Sequence, residues 1–306
     1  LCRLQSCPMS ELFTWAVVAL LCLQVLLKMG LASRQLRHMA AHRSAVPAFF
    51  ASRISLAAHQ KAADYNAAQL KLGQIELWFG SALLLGWTLL GGLQWLNTTL
   101  LGWLDAGLWQ QLALVAAFTL IGSLLDLPFS LWRTFVLEAR FGFNKTTWAL
   151  WLADAIKGAV LGAAIGLPLL ALVLYLMAQA GSWWWLYAWG VLVAFQLLML
   201  VVYPLWIAPL FNQFKPLVDA DLAARTTALM QQAGMRAKGF FVMDGSRRSS
   251  HANAYFTGLG KAKRVVFYDT LLEKLTPAEL DAVLAHELGH FKHGHVAKRM
   301  VLMLLA

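Results

Sequence analysis

The sequence predicts a mainly α, polytopic membrane protein: a multi-span α-helical bundle joined to a small α+β domain that carries a histidine-bearing helix. Three observations predict it. Hydrophobic residues make up 60% of the 306 residues, mean hydropathy is +0.61, and the apolar residues gather in stretches of membrane length. Charged residues, 13% of the chain, lie between those stretches, as a polytopic helical protein distributes them. From residue 212 the composition shifts to amphipathic and β-prone segments. Disorder is excluded on the same grounds. The formal net charge of +10 does not point to nucleic acid, because Lys and Arg flank apolar spans instead of forming one tract. Cys2, Cys7 and Cys22 supply neither a disulfide framework nor a cysteine metal site, since Cys22 lies inside an apolar span.

Crossing the hydrocarbon takes about 20 apolar residues at 1.5 Å per residue. Five segments meet that requirement, near 12–29, 75–96, 109–130, 158–179 and 184–210. Residues 1–8 precede Met9 and are read as a non-native leader, 9–211 as a membrane domain of five transmembrane helices, and 212–306 as a cytoplasmic domain that is incomplete at its C-terminal end. The first span is a retained anchor rather than a signal peptide, being long, without a small-residue cleavage site and followed by further spans. Another apolar stretch begins at Val301 and runs to the chain end.

Basic residues are retained on the cytoplasmic side and therefore set the orientation. Residues 30–74, read as a loop, carry Arg34, Arg37, Arg43, Arg53, Lys61 and Lys71, and residues 131–157 carry Arg133, Arg140, Lys145 and Lys157, whereas 97–108 and 180–183 carry neither Lys nor Arg. The N-terminus is expected outside and the segment from Asn212 to about Met300 inside, in the inner membrane if the source is bacterial. Trp95, Trp103, Trp109, Trp183, Trp184 and Trp185 then fall at the outer face, as an interfacial aromatic belt does. Gly158, Gly162 and Gly166 repeat every four residues, a spacing that lets a second helix approach. Asp126, near the inner end of the third span, has two readings, a wet cavity or the headgroup interface.

In the last third, residues 218–234 read as an amphipathic helix ending at Gly234. Residues 239–243 (GFFVM), 253–257 (NAYFT) and 264–268 (RVVFY) read as strands, and Gly258 to Gly260 supplies a turn, giving a small antiparallel arrangement. Thr276-Pro277-Ala278-Glu279 is a capping box, hydroxyl at the cap and glutamate three residues on, that starts a helix expected to reach about Met300.

That helix carries His286-Glu287-Leu288-Gly289-His290. Residues four apart lie about 40° apart around a helix and one turn along it, so both imidazoles can address one ion. Zn²⁺ held there lowers the pKa of a bound water towards about 7, and Glu287, one step round, takes the proton and later returns it to the leaving amine of a cleaved peptide bond. His293 stands where metzincins need glycine and Val296 where they need histidine, which excludes that class. His293 is also about 10 Å further along the axis than His286, so His293 and His295 are read as interfacial or second-shell groups. A catalytic zinc normally has three protein ligands, and two are legible here. Histidines with a purely structural role on a helix are the alternative.

At this point the residues resemble the type I CAAX prenyl endopeptidases, integral-membrane zinc metallopeptidases of the gluzincin kind. The resemblance rests on Arg140 to Thr147 (RFGFNKTT), Pro209 to Asn212 (PLFN), Gly245 to Gly260 (GSRRSSHANAYFTGLG) and His286 to His290 (HELGH), in order over most of residues 130–300. It implies seven transmembrane helices around a water-filled chamber, with the zinc site facing the chamber near the cytoplasmic leaflet. His286 and His290 would be the metal ligands, Glu287 the catalytic base, and Asn253 with Ala254 an edge-strand segment that binds the substrate backbone by strand addition. The family's third ligand is a glutamate on a helix after the sixth span, and no such helix follows within these residues. A C-terminally truncated chain of that family is expected to bind zinc weakly and turn over little. The expected partners of the complete protein are membrane lipids and peptide substrates, with or without a lipid tail, and no nucleic acid. A heat-shock-type membrane metalloprotease has fewer spans before its motif, and a non-catalytic membrane scaffold or transporter would hold no metal; both stay open as alternatives.

Overall fold

The computed structural model describes residues 8–234, 239–257 and 264–305. Most of the expected leader and the Gly258 to Gly260 turn lie outside them. The chain divides into two compact units, Leu1–Phe141 and Gly142–Ala306.

The first unit is helical: α1 (Pro8–His42), α2 (Leu56–Thr88), α3 (Gly92–Leu101) and α4 (Leu108–Leu131). Residues 30–74 are mostly helix rather than the loop expected, because hydropathy marks only the membrane core of a helix, and the backbone winds on until something breaks it. Pro47 does so after α1. Ser55 restarts the chain, its Oγ accepting from the Ala58 amide at 3.2 Å. Between α2 and α3 the axis bends by 50°. Gly91 there has φ +80°, and a Cβ on Gly92 would stand 2.8 Å from the Gly86 carbonyl oxygen, so the bend requires glycine. Pro128 deprives α4 of a donor, and the helix widens beyond it into a π-helical stretch, Trp132–Glu138. Two polar pairs tie helices of this unit together. Arg133 donates to both carboxylate oxygens of Glu76 at 2.6 Å, and the Tyr65 hydroxyl donates to Glu138 at 2.6 Å. Asp126 lines a cavity of about 410 Å³ with Glu76, Ser130, Arg133 and Thr134.

The second unit opens with α5 (Trp148–Gln179) and α6 (Trp184–Val202), continued by a π-helical stretch, Tyr203–Ile207, and the short α7 (Ala208–Phe211). Thr147 caps α5, its Oγ1 accepting from the Leu150 amide at 3.2 Å. The close helix approach expected at Gly158, Gly162 and Gly166 is not present among the described residues: a Cβ at any of the three would meet nothing within 4 Å. Among the described residues four helices are long and apolar enough to cross a membrane, or five if α2 and α3 count as one bent span.

The rest of this unit is a layer of helices on a small sheet: β1 (Phe214–Pro216), α8 (Ala220–Gln232), β2 (Gly239–Met243), β3 (Ala254–Thr257), β4 (Arg264–Tyr268), α9 (Asp269–Lys274), α10 (Pro277–Lys292) and α11 (His295–Leu305). Strand order is β1-β2-β4-β3. The expected antiparallel sheet is in fact mixed, since β2 and β4 run parallel, with Phe241 opposite Val266. The intervening chain carries β3 out to the edge, and β4 returns beside β2 in the same direction. Val265, Phe267, Leu222, Met230, Leu280, Leu284 and Leu288 form the core between sheet and helices. Gly245 packs beneath Tyr268, where a Cβ would come within 2.5 Å of the ring.

The helix expected to run from Thr276 to about Met300 is two helices. It stops at Lys292, and Gly294 takes φ +65° before α11 begins. A left-handed residue just past a helix end is the ordinary glycine C-cap, and it outweighs a hydrophobic pattern that reads as continuous.

Candidate metal centre

The candidate site is built on α10. Its first turn is fixed by Thr276, whose amide and Oγ1 both donate to Glu279 Oε2, at 2.9 and 2.7 Å. Leu280, Leu284 and Leu288, four residues apart, are buried in the core. A position two residues from such a stripe points about 200° away. His286 and His290 hold those positions, and both are exposed.

The two imidazoles face each other, Nε2 to Nε2 at 3.2 Å, with ring centroids 4.8 Å apart. Two nitrogens bound to one tetrahedral zinc at about 2.0–2.1 Å would stand about 3.3 Å apart, so the separation of the pair matches that of two ligands on a shared ion. Behind it, His290 Nδ1 lies 2.9 Å from His295 Nδ1, a hydrogen bond that orients the ring. His295 has its pKa lowered by lost hydration first and by His290, His293 and Lys298 next. His293 stacks on His295 with centroids 5.7 Å apart. Glu287 is half-buried one step round the helix. Among the described residues no group of three or more His, Cys, Asp or Glu is placed to hold a metal ion.

Strand β3 lies against α10 and forms one edge of the sheet. The Tyr268 amide donates to the Asn253 carbonyl at 3.0 Å. That bond makes Ala254 and Phe267 a non-hydrogen-bonded pair, so the Ala254 backbone faces the open edge. The Asn253 side chain accepts from the Ala254 amide at 2.8 Å. Asn253 and Ala254 are thus adjacent at the edge, and Ala254 is buried.

A second cluster joins three of the sequence motifs, and no one of them announces it. Arg248 donates to both carboxylate oxygens of Asp154, on α5, at 2.8 and 3.0 Å, to Asn212 Oδ1 at 2.8 Å and to the Phe211 carbonyl at 2.6 Å. Its own carbonyl accepts from the Lys145 amide and from Thr146 Oγ1, both at 3.0 Å. Ser249 is bridged to Asn144, and His251 stacks on Phe143 with centroids 4.3 Å apart. Residues 143–146, 211–212 and 248–251 therefore meet at one junction. Asp154, an acid on a long apolar helix, was the available signal.

Membrane-length helices followed by a small sheet and a helix bearing the HELGH turn define a class, the membrane-integral metallopeptidases. Two family models match the chain: CAAX prenyl protease N-terminal, five membrane helices, over residues 35–213, and peptidase family M48 over residues 216–306. The chain belongs to the CAAX prenyl protease family of M48 peptidases. It is 42% identical over 193 residues to a CAAX prenyl protease 1 homolog of Oryza sativa subsp. japonica, covering 63% of this chain and 45% of that protein. It is 43% identical over 187 residues to the Arabidopsis thaliana homolog, covering 61% and 44%. The crystal structure of S. mikatae Ste24p superposes with a TM-score of 0.86 at 32% identity, over 94% of this chain and 68% of that one. The chain thus spans less than half the length of these curated relatives. The resemblance drawn from the motifs stands, and so does the mainly helical membrane fold.

Proposed function

We propose that the protein is a membrane-embedded zinc endopeptidase that hydrolyses peptide bonds in membrane-associated or prenylated, CAAX-type peptides. The observation that carries this reading is the His286–His290 pair, Nε2 atoms 3.2 Å apart, on a helix that also bears Glu287 and lies beside an open strand edge. The relatives named as CAAX prenyl proteases supply the substrate class. The match to the model with five membrane helices favours this family over the heat-shock alternative.

His286 and His290 would hold the metal. Zinc, when bound, supplies Lewis acidity that polarises a scissile carbonyl and acidifies water at that point. Glu287 accepts the proton of the attacking water at its carboxylate and delivers it to the amine of the departing peptide. Asn253 and Ala254 receive the substrate as an added strand: the peptide backbone bonds along the β3 edge, which sets the scissile bond against α10. The Asn253 amide releases the Ala254 N–H as the peptide arrives. The loop asymmetry in Lys and Arg supports an N-terminus outside and this domain on the cytoplasmic side.

The test is cleavage of a farnesylated CAAX peptide and of its unprenylated twin by the full-length protein in detergent micelles. The proposal predicts cleavage of the lipidated peptide that is blocked by a zinc chelator and restored by added Zn²⁺. Chelator-resistant cleavage, or none, would contradict it.

A further inference from the structure

We infer that Arg248, clamped by Asp154, is the positioning residue that sets the substrate-binding edge strand, an assignment that rests on the peptidase reading above. The guanidinium uses its fork on the Asp154 carboxylate, donating at 2.8 and 3.0 Å, and spends its other donors on Asn212 and the Phe211 carbonyl. Asp154 belongs to the long apolar helix α5, and Phe211 ends α7. Planar, bidentate pairing of this kind fixes orientation as well as distance, which a lysine ammonium does not.

What Arg248 holds is the start of a short tether into the strand. Beyond it the backbone is bonded at almost every step. Ser250 donates from its amide to the Phe143 carbonyl at 3.0 Å and from Oγ to Gly142 at 3.1 Å. The His251 carbonyl accepts from Thr270 Oγ1 at 2.8 Å, and Asn253 is tied to Tyr268 at 3.0 Å. The next residue, Ala254, begins β3. A tether with so few free torsions carries a displacement at Arg248 into the register of the edge. The zinc pair is anchored through Leu284 and Leu288, in a core that Ala254 of β3 joins but that Val265 and Phe267 of the inner strand β4 also build. Releasing the clamp therefore loosens the peptide-receiving edge while the metal helix stays seated.

The test uses the zinc-loaded full-length protein and the Asp154→Asn, Arg248→Lys and doubly substituted variants. Binding of a fluorescein-labelled peptide with a reduced scissile bond is measured by anisotropy, beside zinc content and steady-state kinetics. Each single variant is expected to weaken peptide binding and raise KM about tenfold, with zinc content and kcat within about twofold of the parent. The double variant is expected to match either single one, because both break one pair. Unchanged peptide affinity in all variants overturns the assignment, as does a parallel fall in zinc, kcat and soluble yield, which marks a merely structural contact. A parent protein that neither binds zinc nor cleaves removes the peptidase reading itself, and the assignment with it.

Discussion

Glu287 is placed by α10 alone, one residue past a ligand candidate and on neither the buried stripe nor the metal-facing pair. Its proposed work is proton transfer, so Glu287→Gln is expected to lower kcat by about 10²–10⁴-fold while zinc content, measured by atomic absorption, stays at the parent level. Loss of zinc in that variant would make Glu287 a ligand instead. Tyr255, on the edge strand, gives a second residue-level expectation. Burial first, then the neighbouring Tyr268 and Tyr203, raises its phenol to about 12, against about 10 in an unfolded chain. The folded state thus disfavours the phenolate. The stabilisation is complete below about pH 10 and is lost as pH rises from there towards 12. Alkaline unfolding followed by circular dichroism should set in at higher pH in Tyr255→Phe than in the parent, and an unchanged midpoint would refute the assignment.

At the level of elements, α10 is held to the sheet by Leu284, which is fully buried. Leu284→Ala is expected to cost about 2–5 kcal/mol, read as a lowered thermal midpoint, with zinc affinity falling in step because the helix loses its seat. Much of this architecture was legible in the sequence. The capping box located the start of α10, the three strand candidates fell within a residue of β2, β3 and β4, and the four-residue spacing of His286 and His290 put the two rings side by side. The failures have physical causes. β1 is only three residues and ends in Pro216, too short to show a period, and strand direction depends on long-range pairing that no local pattern encodes. The break before α11 came from Gly294, a lone glycine that periodicity passes over. Arg248 and Asp154 lie 94 positions apart, and nothing in either one's neighbourhood names the other.

For the molecule as a whole, composition announced the bilayer, and the basic residues gave a direction. The proposed orientation makes an independent prediction. With Cys2, Cys7 and Cys22 replaced, a single cysteine at Asp105 is expected to react with an impermeant maleimide in intact cells, and one at Glu273 only after permeabilisation; the reverse pattern would invert the topology. Family membership extends the picture without supplying the centre itself, since every chemical step proposed here passes through two histidines on one helical turn. The most direct measurement is therefore zinc stoichiometry with X-ray absorption on the purified full-length protein and its His290→Ala variant. The account predicts about one tightly held zinc per chain, with imidazole scattering that diminishes and metal that is lost on His290→Ala. A protein without zinc, or zinc whose histidine signature survives that substitution, would contradict it.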